Sequence, residues 1–202
     1  MKRHLILLDN GHGNNTAGKR SPDGTLLEYQ YTRDMAKSVF NTLKALGYNV
    51  ELLVPEIYDV PLSERVRRVN QYCNDYGASN VVVVSVHINA AGNGTQWMTA
   101  RGFSVYTSKG KTKSDELATI MCEEAEKSHI DFKIRRDFSD GDPDWEENFT
   151  ILTKTKCPAV LSENFFMDNK DDVNCLLSQT GKDVIKNLHI NSIIRYANKY
   201  FV

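Results

Sequence analysis

Short apolar runs alternate with longer amphipathic stretches along this chain. The short runs are rich in valine, leucine and isoleucine, which predicts strands. They lie at 5–8, 48–54, 81–86, 102–106 and 158–161. In the longer stretches, apolar residues recur every three or four positions, which predicts helices. These stretches lie at 27–46, 61–76, 113–129 and 182–200.

The alternation of helices and buried strands predicts the fold class. A strand with an uninterrupted apolar run, such as 81–86, is typical of a sheet that is buried on both faces. We therefore predict one α/β domain over residues 1–202, with a mainly parallel, twisted sheet and helices on both faces. The buried face of the helix at 61–76 is expected to contain Leu62, Val66, Val69 and Cys73.

Three of the predicted strands end in a side chain that can bind a metal or move a proton. His12 follows the first strand, His87 follows the run of valines, and Glu163 follows the last strand. Because the carboxyl ends of parallel strands lie at one edge of a sheet, these side chains can converge there. Glu28, in the first turn of the first long helix, is a fourth candidate, although a carboxylate in that position also complements the helix dipole.

Two histidines and one carboxylate form a known ligand set of catalytic zinc. Three protein ligands leave the fourth tetrahedral position open for water. Zinc lowers the pKa of that water and polarises a carbonyl oxygen, and a second carboxylate can then carry the proton to the leaving group. The four candidates complete this inventory, but their spacing leaves open which glutamate binds the metal. The chain has no HExxH motif, so the helical signature of zinc proteases is absent.

Composition and charge exclude several classes of protein. The 25 lysines and arginines are balanced by 26 aspartates and glutamates, so the chain lacks the basic footprint of a nucleic-acid-binding protein. No apolar run approaches the ~18 residues that a membrane span needs. The four cysteines are widely spaced and form no CxxC pair, which predicts free thiols in a reducing compartment.

The order of these motifs resembles the zinc-dependent N-acetylmuramoyl-L-alanine amidases of the amidase-3 type, and the resemblance covers nearly the whole chain. The similar segments are Asp9-Asn10-Gly11-His12-Gly13, Leu27-Glu28, Leu62-Ser63-Glu64-Arg65, Ser85-Val86-His87-Ile88-Asn89-Ala90 and Pro158-Ala159-Val160-Leu161-Ser162-Glu163. Those enzymes cleave the amide between the lactyl group of muramic acid and the first L-alanine of the peptidoglycan stem peptide. The resemblance implies a peptidoglycan substrate and a zinc cofactor. It assigns His12, Glu28 and His87 as zinc ligands and Glu163 as the catalytic acid and base.

Two positions depart from the pattern of that family. Asn10 stands where the first motif usually has proline, and Phe165 stands where a glycine usually follows the catalytic glutamate by two residues. Both departures are expected to affect the shape of loops more than the chemistry.

Two loops are expected to border the substrate groove, because each is next to a proposed site element in the sequence. The loop at 89–101 begins with Asn89 and contains Trp97, and the acidic stretch at 137–147 contains Trp145. A run of charged residues is usually a solvated loop. Sugars stack on exposed aromatic rings, so both tryptophans are candidate substrate contacts, together with Asn89.

Two other functions are compatible with these residues. A zinc peptidase would use the same chemistry to cut within the stem peptide, and a catalytically silent protein would only bind the wall. The apolar run at 5–8 is shorter than the ~7–15 residues of a signal-peptide core. We therefore expect synthesis in the cytoplasm and action on the cell wall after release, as for a phage lysin, with recycling of wall fragments in the cytoplasm as the alternative. No separate wall-binding module is expected in 202 residues.

Overall fold

The predicted apolar runs form one sheet in the computed structural model, which describes residues 4–201. The charged start of the sequence, residues 1–3, lies outside the described residues. The strands are β1 (Leu5–Asn10), β2 (Val50–Leu52), β3 (Val81–Asn89), β4 (Ser104–Thr107), β5 (Trp145–Glu146) and β6 (Ala159–Phe166). Their order across the sheet is β2-β1-β3-β6-β4-β5, and all neighbours are parallel except the antiparallel pair β4 and β6. The prediction of a mainly parallel sheet is confirmed.

Helices cover both faces of this sheet. They are α1 (Glu28–Ala45), α2 (Leu62–Tyr76), α3 (Lys113–Glu126), α4 (Thr150–Thr153), α5 (Lys170–Leu177) and α6 (Gln179–Tyr200), with a 3₁₀ turn at Ala78–Asn80 before β3. Helices α1, α3, α5 and α6 pack on one face, against side chains such as Ile6 and Val84. Helices α2 and α4 pack on the other face against Leu7 and Val83, because successive side chains of a strand point to opposite faces. In the described residues, no helix combines the length and apolarity needed to cross a bilayer.

Some local predictions differ from the structure. Leu62 is 54% exposed rather than buried, because it is the first residue of α2, whereas Val69 and Cys73 farther along are buried. The stretch at 137–147 is not wholly solvated. Asp144 is buried there and accepts a hydrogen bond from the hydroxyl of Thr107 at 2.6 Å, next to strand β5. The two-residue strand β5 and the four-residue helix α4 are too short for a hydrophobic period to reveal them.

A β-bulge in β6 holds a phenylalanine in a backbone conformation that favours glycine. The pairing of β3 with β6 is regular up to Glu163 and resumes at Phe166 with one extra residue in β6. At this bulge Phe165 has φ = +69°, a conformation that costs a non-glycine residue about 1–2 kcal/mol. Its ring is fully buried and packs edge-on against Phe132, with ring centroids 4.9 Å apart. Burial of the ring therefore offsets the strain. The family that this sequence resembles usually has glycine at this position.

Substitutions at Phe165 should reverse the usual stability order of alanine and glycine. Phe165→Ala loses the buried ring, which typically costs about 3–5 kcal/mol, and keeps the strained φ. Phe165→Gly loses the same ring but removes the strain, so its free energy of unfolding should exceed that of the alanine variant by about 1 kcal/mol. Urea unfolding of both variants measures the difference. A more stable alanine variant would show that φ at this bulge is negative once the ring is removed.

Candidate metal centre

His12, His87 and Glu163 lie together at one edge of the sheet. His12 follows β1, whereas His87 and Glu163 lie in the carboxyl-terminal halves of β3 and β6, and these three strands are consecutive neighbours in the sheet. His87 and Glu163 are directly paired across β3 and β6. Beyond the end of β1, the N–H of Gly11 still donates to the carbonyl of Val86 at 3.0 Å. The backbone of three parallel strands thus brings two imidazoles and a carboxylate to one place.

Glycine on both sides of His12 allows this residue to approach its neighbours. A Cβ atom at Gly11 would lie 2.5 Å from the ring of His87, and one at Gly13 would lie 1.9 Å from the backbone nitrogen of Asp59. His12 itself has φ = +60°. A left-handed conformation of a residue other than glycine costs energy and is concentrated at functional sites. Close packing around His12 therefore requires glycine at both flanking positions.

His12, Glu28 and His87 present three ligand atoms within 4.8 Å of one another. Nε2 of His12 lies 3.5 Å from Oε2 of Glu28, and Nδ1 of His87 lies 3.1 Å from Oε1 of Glu28. Two ligand atoms of a tetrahedral zinc ion, each about 2.0–2.1 Å from the metal, are separated by about 3.3–3.4 Å. The observed separations therefore fit one small cation bound by all three side chains.

Glu28 is the most deeply buried member of this group. Its side chain, at the first turn of α1, has 1% of its surface exposed, and its backbone N–H donates to the carbonyl of Lys19 at 3.0 Å. Oε1 accepts a hydrogen bond from the N–H of Ile88 at 3.0 Å, whereas Oε2 is buried and has no hydrogen-bond partner in residues 4–201. Burying a carboxylate oxygen without a partner is costly. A cation beside Oε2 satisfies it, which is a second reason to place a metal here.

The electrostatics of the three side chains favour metal binding over protonation of His12. Burial lowers the pKa of His12 to about 4, despite the opposing attraction of Glu28, so its imidazole is neutral at physiological pH. Burial alone would lower the pKa of His87, but its hydrogen bond and attraction to Glu28 outweigh this and raise the pKa. Burial alone would raise the pKa of Glu28, but the two histidines outweigh this and lower it. Glu28 is therefore ionised, as a metal ligand must be.

Glu163 has a different environment from Glu28. Its Oε2 is buried and has no hydrogen-bond partner among the described residues. Burial raises the pKa of Glu163 to about 8, against the opposing attraction of His87. A carboxyl group whose pKa is near the working pH can both accept and donate a proton. The two glutamates therefore differ in charge state: the pKa of Glu28 is lowered, whereas that of Glu163 is raised to about 8.

A buried arginine fixes the strand ends beneath the site. Arg65 of α2 donates to Asp9 Oδ1 at 2.6 Å, to the carbonyl of Asn10 at 2.6 Å and to Asp59 Oδ1 at 3.0 Å. The other carboxylate oxygen of Asp9 accepts a hydrogen bond from the hydroxyl of Ser85 in β3 at 2.6 Å. Arg65 thereby ties α2 and the loop before it to the ends of β1 and β3.

The sequence pattern predicts Arg65 among the charged residues around the apolar face of α2, but this prediction is wrong, because Arg65 is 2% exposed. The signal that could have identified it is its spacing. Arg65 precedes Val69 by four residues and Cys73 by eight, so it lies on the buried face of α2. A charged residue on the apolar face of a helix needs a partner, and Asp9 directly follows the first apolar run, where it can supply one.

A cavity of about 650 Å³ is lined by His12 and His87, two of the three candidate ligands, and by Glu163. One wall is polar and contains Thr16 and Lys19. Another part of the lining, the apolar wall, contains Leu62, Phe149 and Ile151, of which Phe149 is 37% exposed. The lining thus combines a cation and an apolar surface with His12, His87 and Glu163.

The residues that line this cavity do not include Asn89, Trp97 or Trp145. The amide oxygen of Asn89 accepts a hydrogen bond from the next backbone N–H at 2.8 Å. Trp97 is half-buried against the core, with the ammonium of Lys170 5.6 Å from its ring centroid. The indole N–H of Trp145 donates to the carbonyl of Arg135 at 3.2 Å. The exposed aromatic ring in the cavity wall is Phe149, which lies directly after the acidic stretch in the sequence.

The amino-acid sequence is similar to those of known proteins. A family described as N-acetylmuramoyl-L-alanine amidase matches residues 6–195. The chain is 33% identical over 196 residues to N-acetylmuramoyl-L-alanine amidase CwlM of Bacillus licheniformis, covering 96% of this chain and 68% of the relative. It is 36% identical over 115 residues to the amidase AmiC of Neisseria meningitidis, covering 56% of this chain and 25% of that protein. It is 28% identical over 199 residues to the endolysin of Bacillus phage SPP1, covering 96% of this chain and 66% of that protein.

Solved structures show the same fold. An N-acetylmuramoyl-L-alanine amidase from Clostridium difficile 630 superposes with a TM-score of 0.80 at 22% identity, covering 98% of both chains. AmiC2 of Nostoc punctiforme superposes with a TM-score of 0.78 at 22% identity, covering 97% of this chain and 98% of the other. At these identities the likeness concerns the α/β architecture alone.

Removing Arg65 should destabilise the protein far more than removing a surface arginine of the same helix. Arg65→Met leaves Asp9 buried and unpaired, and breaking such a pair typically costs about 3–5 kcal/mol. Arg67→Met is the matched control, because Arg67 is exposed and pairs only with Glu64 at the surface, so little change is expected. Urea unfolding measures both. In the Arg65→Met background, Asp9→Asn should recover stability, and a double-mutant cycle without coupling would contradict this pairing.

Proposed function

The chain belongs to the N-acetylmuramoyl-L-alanine amidase family, and on this premise we propose that it hydrolyses, with the help of zinc, the amide between muramic acid and L-alanine in peptidoglycan. His12, Glu28 and His87 hold the zinc, and Glu163 moves the proton. The observation that carries this assignment is the buried, unpartnered Oε2 of Glu28, which faces His12 at 3.5 Å. Zinc bound there would supply a Lewis acid that polarises the amide carbonyl and makes a water molecule more acidic.

Glu163 supports both proton transfers of the reaction. As a carboxylate, it takes a proton from the attacking water while the oxygen of that water bonds to the carbonyl carbon. As a carboxylic acid, it returns this proton to the nitrogen of L-alanine while the carbon–nitrogen bond breaks. The products are a free lactyl carboxylate on the sugar and a peptide with a free α-amine. The raised pKa of Glu163, about 8, suits a group that must be stable in both forms.

The apolar wall of the cavity is the proposed contact for the glycan. Phe149 is partly exposed and lines the cavity together with Leu62. An exposed aromatic ring suits the face of a sugar. We propose Phe149 for this contact in preference to Trp97 and Trp145, which pack elsewhere.

The setting in which the enzyme acts is also a proposal. Its similarity to the endolysin of phage SPP1 supports action on the cell wall after release from the cell in which it is made. Recycling of wall fragments in the cytoplasm is the alternative. The curated relatives are longer than this chain, which spans 68%, 25% and 66% of the three described above.

Mass spectrometry of digested peptidoglycan tests the proposed reaction. Purified peptidoglycan treated with the zinc-loaded protein should yield glycan with free lactyl carboxylates and stem peptides that begin with L-alanine. A zinc peptidase would instead leave L-alanine attached to the sugar, and a silent wall-binding protein would release no peptide. Either of these two results would contradict the proposed activity.

His87→Ala should abolish zinc binding, because it removes one of only three ligands. Elemental analysis after dialysis should give about one zinc per chain for the unaltered protein and a small fraction of that for the variant. His189→Ala is not a suitable control, because His189 is buried and hydrogen-bonded to Ser162. The exposed His129 serves instead, and His129→Ala should keep its zinc. Full zinc occupancy in His87→Ala would contradict the ligand assignment.

Glu163→Gln should keep zinc but lose turnover. Glutamine is nearly isosteric with glutamate and cannot accept the proton, and general acid–base catalysis commonly contributes about 10²–10⁴ in rate. Turnover of muropeptides and zinc content should be measured on the same preparation, so that loss of metal is separated from loss of the base. Activity within a few-fold of the unaltered enzyme would show that another group carries the proton.

A further inference from the structure

The cations that line the active-site cavity are used in two different ways. Arg65 is fully engaged, because its guanidinium donates to Asp9, Asp59 and three backbone carbonyls, those of Val60, Asn10 and His12. Lys19 also lines the cavity, on the polar wall. Unlike Arg65, the ammonium of Lys19 forms no ion pair or hydrogen bond within the described residues, 4–201.

The backbone that carries Lys19 is held in place from several sides. The carbonyl of Lys19 accepts the N–H of Glu28 at 3.0 Å, and the following residue forms a bridge with the residue before Glu28. Thr16 accepts the N–H of Gly13 at 3.0 Å and donates to Asp59 at 2.5 Å. The loop at 89–101 packs on the segment from outside, since a Cβ atom at Gly94 would lie 3.2 Å from the carbonyl of Gly18. The backbone of this segment is therefore fixed in place, whereas the ammonium of Lys19 makes no contact that stabilises the fold of the described residues.

Lys19 lines the same cavity as His12, His87 and Glu163. Because the scissile amide must enter this cavity to reach those groups, Lys19 borders the space that the substrate occupies. An unpaired, partly exposed ammonium beside a reaction centre is a ready binding group for an anion that arrives with the substrate.

We propose that Lys19 binds a carboxylate of the stem peptide and so makes this enzyme selective for substrates whose second peptide residue is unamidated. This inference rests on the proposed amidase activity. The lactyl carboxyl group of muramic acid is consumed in the scissile amide, so the nearest free anion is the α-carboxylate of the residue after L-alanine. That group is a carboxylate in isoglutamate and a neutral amide in isoglutamine. Arg65 cannot bind it, because its donors are already paired.

This assignment also orients the substrate across the metal. The peptide lies along the polar wall at Thr16 and Lys19, and the glycan lies along the apolar wall at Phe149 and Leu62. Glu163 lines the same cavity, where it can reach the amide that joins the glycan to the peptide.

The test compares two substrates that differ only in this group, N-acetylmuramoyl-L-alanyl-D-isoglutamate and its D-isoglutamine counterpart. A charged hydrogen bond is worth roughly ten- to a hundredfold in binding. In the unaltered enzyme, kcat/KM should therefore favour isoglutamate by at least tenfold. Lys19→Met should lose that preference through a higher KM for isoglutamate, with isoglutamine cleaved as before. Lys19→Arg keeps the charge and should retain most of the preference.

Arg20→Met is the matched control, because it removes a cation from the same segment at a residue that does not line the cavity. It should leave both substrates unaffected. The thermal midpoint and zinc content of Lys19→Met should match those of the unaltered protein, and a large fall in either would show that the ammonium is structural, which contradicts the proposal.

Two kinetic results would overturn the assignment. An equal loss of kcat on both substrates would place Lys19 at the reacting carbonyl instead of the peptide carboxylate. No loss on either substrate would remove Lys19 from substrate binding altogether. Failure of the amidase proposal is distinguishable from both, because the unaltered enzyme would then release no peptide from either substrate.

Discussion

The buried carboxylate of Glu28 is the constraint on which the site depends. It lies between His12 and His87, with one oxygen satisfied by the backbone of Ile88 and the other without a partner in the described residues. Burying a charge in this way is unfavourable unless a cation or a hydrogen bond compensates it. The two histidines can do so in part, but neutral His12 cannot donate from both of its nitrogens. A metal ion would satisfy all three side chains at once. The distances from the oxygens of Glu28 to the two imidazoles, 3.5 and 3.1 Å, fit a single bound ion.

The rest of the fold holds the ends of three strands at this carboxylate. Strands β1, β3 and β6 are adjacent and parallel, so His12, His87 and Glu163 reach one edge without any long loop. The ion pair of Arg65 with Asp9 joins the first of these strand ends to α2 on the face opposite α1. Tight packing at Gly11 then sets the distance between the two imidazoles. These contacts fix the positions of the side chains at the site.

The sequence predicts the elements of this site better than its walls. His12, His87 and Glu163 could be selected because each follows an apolar run, and a parallel sheet brings such residues together whatever their separation in the chain. Glu28 had no such signal, and only its family resemblance separated it from a carboxylate that complements a helix dipole. Phe149 could not be predicted, because the helix that follows it has only four residues and its exposure depends on contacts distant in sequence. The same holds for Trp97, whose ring is half-buried against the core although the loop that carries it is polar. The strain at Phe165 is a property of the backbone and has no signal in hydrophobic periodicity.

The central claim is that one zinc ion is held by His12, Glu28 and His87, and anomalous X-ray scattering tests it most directly. Crystals of the protein as purified, measured on both sides of the zinc absorption edge, should show one anomalous peak. This peak should lie about 2.0–2.2 Å from Nε2 of His12, Nδ1 of His87 and Oε2 of Glu28. A peak ligated by Glu163 in place of Glu28, or a zinc ion bound elsewhere with these three side chains unligated, would contradict the account.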